Sequence, residues 1–135
     1  MKTSLDLENR TELYTIHDMK SEWDGMKEIK RVIEKVADTD SSILIHGKTG
    51  TGKEMVAESI HTSGSRRQKK FVSQNCAAIP ANLLESILFG TVRGSFTGAE
   101  NRKGLLEVAD GGTLFLDEIN TLDYNLQAKL LKAIE

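Results

Sequence analysis

Between residues 24 and 37 the apolar side chains Met26, Ile29, Ile33 and Val36 fall among charged ones. That spacing marks one face of an α-helix, and Asp24 stands where an N-cap carboxylate belongs. The polar run ADTDS ends the pattern. SILIH, at 42–46, is apolar and β-branched without alternation, which predicts a strand buried on both faces. A glycine-rich turn then leads into a second helix, Glu54 to His61. After the polar loop SGSRRQKK, FVSQN at 71–75 reads as another strand, and Pro80 opens a helix over ANLLESILF. Residues 90–104, GTVRGSFTGAENRKG, hold four glycines and no period, so they predict a long exposed loop. LLEV is a short helical piece, broken by two glycines. TLFLDE predicts a third buried strand ending in two acids. The last segment, YNLQAKLLKAIE, is helical with Leu126, Leu130 and Ile134 as a core face, and no Gly or Asn marks its end. Before residue 24 the chain is polar and mixed, with Leu13, Tyr14 and Ile16 as its anchors, so 1–23 reads as a terminal segment or linker. Strands alternating with helices predict an α/β fold built on a parallel sheet.

Composition narrows the class. A chain of 135 residues with 39% hydrophobic content suits one domain with a modest core. Lys and Arg number 18 against 20 Asp and Glu, a net charge of −2, so no global charge drives it toward nucleic acid or membrane. The single cysteine, Cys76, excludes an intramolecular disulfide framework and a multi-cysteine metal site; it fits a reducing compartment and a small buried position. The start, MKTSLDLENRTELY, lacks the apolar core of a signal peptide, and no apolar run approaches membrane-spanning length. A cytoplasmic protein with no membrane partner is expected.

Two constellations carry chemistry. GKTGTGKE, from Gly47 to Glu54, has the G-x-x-x-x-G-K spacing of a phosphate loop, set between a strand and a helix as that motif requires. Glycines at 47, 50 and 52 let backbone N–H groups converge on phosphate oxygens. Lys53 adds a point charge for the β and γ phosphates at a helix N-terminus. The motif ordinarily ends in Ser or Thr, whose hydroxyl binds magnesium, and here Glu54 takes that place. The second constellation is TLFLDEI, where an apolar strand delivers Asp117 and Glu118 to its C-terminal end, the edge at which α/β sheets bind ligands. One carboxylate can hold a magnesium shell while the next orients and polarises a water. An acidic pair after a strand is often only a solvated cap, and it gains meaning by following a phosphate loop. His17, His46 and His61 have no ligand-type partner at metal spacing and read as surface or packing residues. RRQKK reads as a solvated loop rather than a nucleic-acid contact.

Three segments together resemble one family. GKTGTGKE, GSFTGA (94–99) and GGTLFLDEI (111–119) closely resemble the central AAA+ ATPase domain of bacterial enhancer-binding proteins, the sigma-54-dependent transcription activators. The intervening FVSQNCAAIPANLLESILFG and LQAKLL are similar to that family too, so the resemblance runs from about Met26 to Glu135. The phosphate loop of that family characteristically ends in Glu, which accounts for Glu54; its carboxylate must face away from the phosphates or reach a magnesium-bound water. The resemblance implies ATP and Mg2+ as cofactors, held by Gly47, Lys48, Thr49, Gly50, Thr51, Gly52, Lys53 and Glu54, with Asp117 on the magnesium shell. It implies Glu118 as the residue that activates water and Asn75 as the asparagine that contacts this glutamate in one nucleotide state. Gly94, Ser95, Phe96, Thr97, Gly98 and Ala99 are implied to form the loop tip that engages sigma-54. Two positions depart from the family pattern: Lys48 stands where an acid is usual and Ser95 where Ala is usual.

By this resemblance the chain is a P-loop AAA+ three-layer αβα fold over 24–135, incomplete before the fourth strand and the helical lid. The family sheet runs in the order five, one, four, three, two, with the strands near 43–46, 71–74 and 113–116 as the first, second and third. The implied function is ATP-driven remodelling of sigma-54 RNA polymerase holoenzyme, with the complete protein forming a ring, a hexamer, and reaching promoter-upstream DNA through a domain outside these residues. The alternatives are a generic AAA+ remodeller of another client, which the 94–99 signature argues against, and a non-enzymatic binding or interaction module. The 135 residues alone are expected to be marginally stable or to pair with another copy. They are also expected to turn over negligible ATP, because a neighbour's arginine in this class contributes about a thousandfold or more in rate.

Overall fold

The computed structural model describes residues 13–19, 24–47 and 52–135, which fall into two units, Met1–Gln68 and Lys69–Glu135. In the first unit the predicted periodicity folds as α1 (Asp24–Val36), with Ile33 buried and Met26, Ile29 and Val36 half-buried on its inner face. The Asp24 side chain, expected as a cap, lies outside the described residues. The second helix, α2 (Lys53–Ser63), starts one residue earlier and ends two later than predicted. Its inner face carries Ala57, Glu58, Ser59 and His61, all buried. Ser59 answers burial by donating its hydroxyl to the Met55 carbonyl at 2.7 Å, one turn back.

Glu58, fully buried, serves a different strand of chain. Its Oε1 accepts the backbone N–H of Tyr14 at 3.2 Å, and one turn along α2 the Thr62 hydroxyl donates to the Tyr14 carbonyl at 2.9 Å. Two side chains of α2 thus satisfy both backbone polar groups of one residue, which allows Tyr14 to be buried. A 3-10 turn follows at Ile16–Asp18, with the Asp18 carboxylate accepting the Thr15 N–H at 2.8 Å, and Met19 packs inward after it. Of the expected anchors Leu13, Tyr14 and Ile16, only Tyr14 is fully buried and the other two are half-buried; Met19 adds one that periodicity did not show.

The predicted strand at 43–46 does not form. Residues 41–47 carry no regular structure, and Ile43 and Leu44 are 42% and 61% exposed. A strand exists only through ladder bonds to a neighbour. The sheet order implied by the resemblance gives this segment a neighbour on each side, and none of the described strands pairs with it. The apolar run therefore signals a buried strand whose burial requires partners.

In the second unit, β1 (Phe71–Asn75) pairs in parallel with β4 (Thr113–Asp117), from Phe71 opposite Thr113 to Asn75 opposite Asp117. Both strands lie where the apolar pattern put them, and the parallel pairing is the predicted one. Between them run α3 (Ala81–Phe89), the two-residue strands β2 (Gly90–Thr91) and β3 (Arg102–Lys103), and α4 (Leu105–Val108). Pro80 sits one position before α3, as its N-cap, with φ −56° and ψ 142°. The final helix, α5 (Tyr124–Ile134), is capped by Asp123, whose Oδ1 accepts the Leu126 N–H at 2.8 Å. The core joins Cys76, Leu84, Leu88, Leu122 and Leu126, with Leu116 and Ile119 packed against it. Leu130 is half-buried, but Ile134, predicted on the same core face, is 49% exposed because nothing among the described residues covers the last turn of α5.

Leu88 is the most enclosed of these side chains, at 0% exposure. Leu88→Ala is expected to lower the unfolding free energy by about 2–5 kcal/mol, through lost burial and a residual cavity. Denaturant titration reads this directly; a loss under about 1 kcal/mol would mean that the second unit lacks this core in solution.

Candidate functional site

The candidate residues fall in both units, some in Met1–Gln68 and the rest in Lys69–Glu135. Of the residues expected to form a phosphate loop, Lys48, Thr49, Gly50 and Thr51 lie outside the described residues. Gly47 is the last described residue before them, in irregular backbone. Gly52 is the N-cap of α2, with φ +87° and ψ 22°, a left-handed conformation that a side chain at this position would strain. Val56 N–H donates to the Gly52 carbonyl at 3.1 Å, closing the first helical turn. Lys53 and Glu54 are the first two helical residues, both half-buried. The first N–H groups of an α-helix have no intrahelical acceptor, and together with the helix dipole they favour an anion. Glu54 fits that field as well: an acid in the first turn is stabilised by the positive end of the dipole, whereas direct contact with phosphate would repel it.

In the second unit the register sets Asn75 and Asp117 side by side at the carboxyl end of the two strands. Cys76 N–H donates to the Asp117 carbonyl at 2.9 Å, extending the pairing one step past β1. Both chains then turn sharply through a non-glycine residue with positive φ, Ala78 at 61° and Glu118 at 59°. Such a conformation costs a side-chain-bearing residue about 1–2 kcal/mol, so neighbouring bonds must hold it. After β1, the Asn75 Oδ1 accepts the Ala77 N–H at 2.8 Å. After β4, the Asp117 Oδ1 accepts the Glu118 N–H at 2.9 Å. The Glu118 carbonyl accepts both the Thr121 N–H at 3.1 Å and its hydroxyl at 2.7 Å, within a 3-10 turn at Ile119–Thr121. Cys76 is buried as expected; burial pushes its thiol pKa up, and the Asp117 charge adds to the shift.

The loop at 90–104 is exposed as predicted but has an ordered base. β2 and β3 pair antiparallel, Gly90 with Lys103 and Thr91 with Arg102. Glycine is required there, since a Cβ on Gly90 would lie 2.4 Å from the Arg102 carbonyl oxygen and one on Gly104 would lie 2.3 Å from that of Leu88. Above this base the Asn101 side chain accepts the Arg93 N–H at 2.7 Å. Two consecutive turns form the tip, closed by Ser95 N–H to the Val92 carbonyl and Ala99 N–H to the Phe96 carbonyl, each at 3.0 Å. Gly94 and Gly98 hold the third position of these turns with φ of +88° and +82°, as a type II turn demands. Phe96 opens the second turn and is 56% exposed. Ser95 adds a bond that Ala lacks, its hydroxyl donating to the Val92 carbonyl at 2.7 Å.

Two residues outside the motifs brace the backbone, Thr121 at the Glu118 turn and Glu58 at Tyr14. Thr121 and Glu58 escaped the sequence reading, although a Thr three residues after Glu118 has the spacing of a hydroxyl-to-carbonyl turn. Of the histidines, His61 is buried in packing, and His17 and His46 are exposed. Arg66, in the basic loop, pairs with Asp40 at 2.9 Å on the surface. Among the described residues no three His, Cys, Asp or Glu converge as a metal cage, and no helix is long and apolar enough to cross a membrane.

Residues 19–135 match the Sigma-54 interaction domain. The chain belongs to the Sigma-54 interaction domain family. Relatives in this family include the transcriptional activator RocR of Bacillus subtilis (strain 168), 49% identical over 122 residues, 90% of this chain and 26% of that protein. The anaerobic nitric oxide reductase transcription regulator NorR of Enterobacter sp. (strain 638) is 54% identical over 112 residues, 82% of this chain and 22% of its own length. The chain thus spans about a quarter of the length of the curated relatives it matches. Among solved structures, NtrX from Brucella abortus in complex with ATP superposes with a TM-score of 0.75 at 37% identity, covering 85% of this chain and 24% of that one. The same protein in complex with ADP gives 0.75 over 87% of this chain and 25% of its own. The fold is accordingly the parallel α/β fold of the AAA+ class, and the family is one of ATPase type.

Proposed function

We propose that this chain is the ATP-binding part of an ATPase that remodels sigma-54 RNA polymerase holoenzyme from closed to open promoter complex. The observation that carries this reading is the hairpin at 90–104, whose glycine turns present Phe96 to solvent on a chain of the Sigma-54 interaction domain family. An exposed aromatic at a rigid tip is suited to gripping a partner. Lys53 and the N-terminus of α2 would hold the ATP phosphates, with Gly47, Lys48, Thr49, Gly50, Thr51 and Gly52 as the cradle. Asp117 fits a magnesium ion, a hard cation that takes one or two carboxylates and completes its shell from phosphate and water. That ion would neutralise charge developing on the phosphates. Glu118 would polarise the attacking water, and Asn75, aligned with Asp117 in the neighbouring strand, would govern the Glu118 carboxylate. The complete protein would work in the cytoplasm as a ring, a hexamer by the family pattern, and reach promoter-upstream DNA through another domain. The 135 residues alone would bind nucleotide without appreciable turnover.

Thr97, beside Phe96 at the tip, separates this reading from a generic remodeller. In the full-length protein Thr97→Ala is expected to retain most ATP turnover while open-complex formation falls at least about tenfold, a loss of roughly 1.4 kcal/mol in coupling. Promoter melting at the parental level would point to a different client.

A further inference from the structure

The left-handed Glu118 backbone needs a restraint, and its location identifies one. Resting on the reading of Glu118 as the water-activating carboxylate, we infer that Thr121 is a positioning residue for ATP hydrolysis, its hydroxyl fixing the direction in which the Glu118 carboxylate leaves the strand. The hydroxyl donates to the Glu118 carbonyl at 2.7 Å and also lies 3.3 Å from the Cys76 carbonyl. Cys76 directly follows Asn75, and its N–H is bonded to the Asp117 carbonyl. A single side chain therefore ties the turn after β4 to the turn after β1, with Asn75 and Asp117 in register just before them. The Asp117 carboxylate holds the N–H of Glu118 and Thr121 holds its carbonyl, so the peptide groups on both sides of the strained residue are fixed.

Removing the hydroxyl leaves the backbone bond from Thr121 N–H in place but releases the link to Cys76. Glu118 can then relax toward the right-handed region, which its side chain prefers, and the carboxylate swings with the backbone. A displacement of about 1 Å at a catalytic group costs on the order of a hundredfold in rate. Thr121 touches neither nucleotide nor water in this account and acts only through Glu118.

The test compares Thr121→Val, which keeps the shape and loses the hydroxyl, with Thr121→Ser, which keeps the hydroxyl, in the full-length protein. For Thr121→Val, kcat for ATP is expected to fall about tenfold to a hundredfold, with nucleotide Kd within about twofold of the parent. Thr121→Ser should restore most of the rate. In a Glu118→Gln background, Thr121→Val should cause no further loss. Thr121→Ala carries the same expectation as Thr121→Val if the valine variant does not fold. Parental kcat in Thr121→Val or Thr121→Ala overturns the inference, as does a Thr121→Ser variant as slow as they are, or an equal further loss in the Glu118→Gln background. These results are distinct from failure of the functional reading, in which the unsubstituted protein hydrolyses no ATP or Glu118→Gln hydrolyses it at the parental rate.

Discussion

Lys53→Ala in the full-length protein is expected to abolish measurable ATP affinity. Lys53 is the first residue of α2, immediately after the left-handed Gly52, so its ammonium belongs to the same helix end that favours an anion. The ammonium is a compact charge, and its attraction for a phosphate about 4 Å away is worth about 4 kcal/mol at an effective dielectric near 20. Each 1.4 kcal/mol is about a factor of ten in Kd, so losing the charge moves a micromolar site out of the range of calorimetry. The helix itself is not at risk, because Ala is the best helix former and the core face of α2 begins at Ala57. Equal affinities for the variant and the parent would remove the phosphate-loop assignment.

Glu118→Gln should have the opposite profile, with ATP bound and hydrolysis cut to a small residual rate. The amide has the same shape as the carboxylate, and the turn that holds Glu118 is made by backbone groups, Asp117 and Thr121, so the local geometry survives. An amide cannot accept a proton from water, and general-base catalysis contributes about a hundredfold to ten-thousandfold. Single-turnover measurements separate binding from chemistry here. A parental rate would mean that another residue activates the water. Asp117→Ala would behave differently again, weakening magnesium-dependent binding and also loosening Glu118, whose N–H it accepts.

The sequence displayed those parts of the fold that local pattern determines. The spacing of Met26, Ile29, Ile33 and Val36 encodes α1, and the pentads FVSQN at 71–75 and TLFLD at 113–117 form a parallel pair whose ends align. The acids at the end of the second pentad reach the sheet edge because the strand stops there. Nonlocal dependence explains what was missed. Ile43, Leu44 and Ile45 have the composition of a central strand, but a strand is a relation between segments and cannot be read from one of them. The burial of Glu58 looks like an error of pattern until the Tyr14 backbone is placed beside it. Thr121 carries no periodic signal, and its role emerges only when the Glu118 and Cys76 carbonyls converge on its hydroxyl. The 94–99 tip was legible as an exposed loop, whereas the β2–β3 base that stiffens it is too short to leave a strand pattern.

The central claim is that this chain supplies the nucleotide-binding core of a sigma-54 activator. Its most direct test is promoter melting by the full-length protein, followed by permanganate reactivity of unpaired thymines at a sigma-54 promoter. The account predicts melting that requires ATP, magnesium and sigma-54 holoenzyme together, and that fails with a non-hydrolysable ATP analogue. Melting that proceeds without ATP, or equally well with a holoenzyme lacking sigma-54, would contradict it.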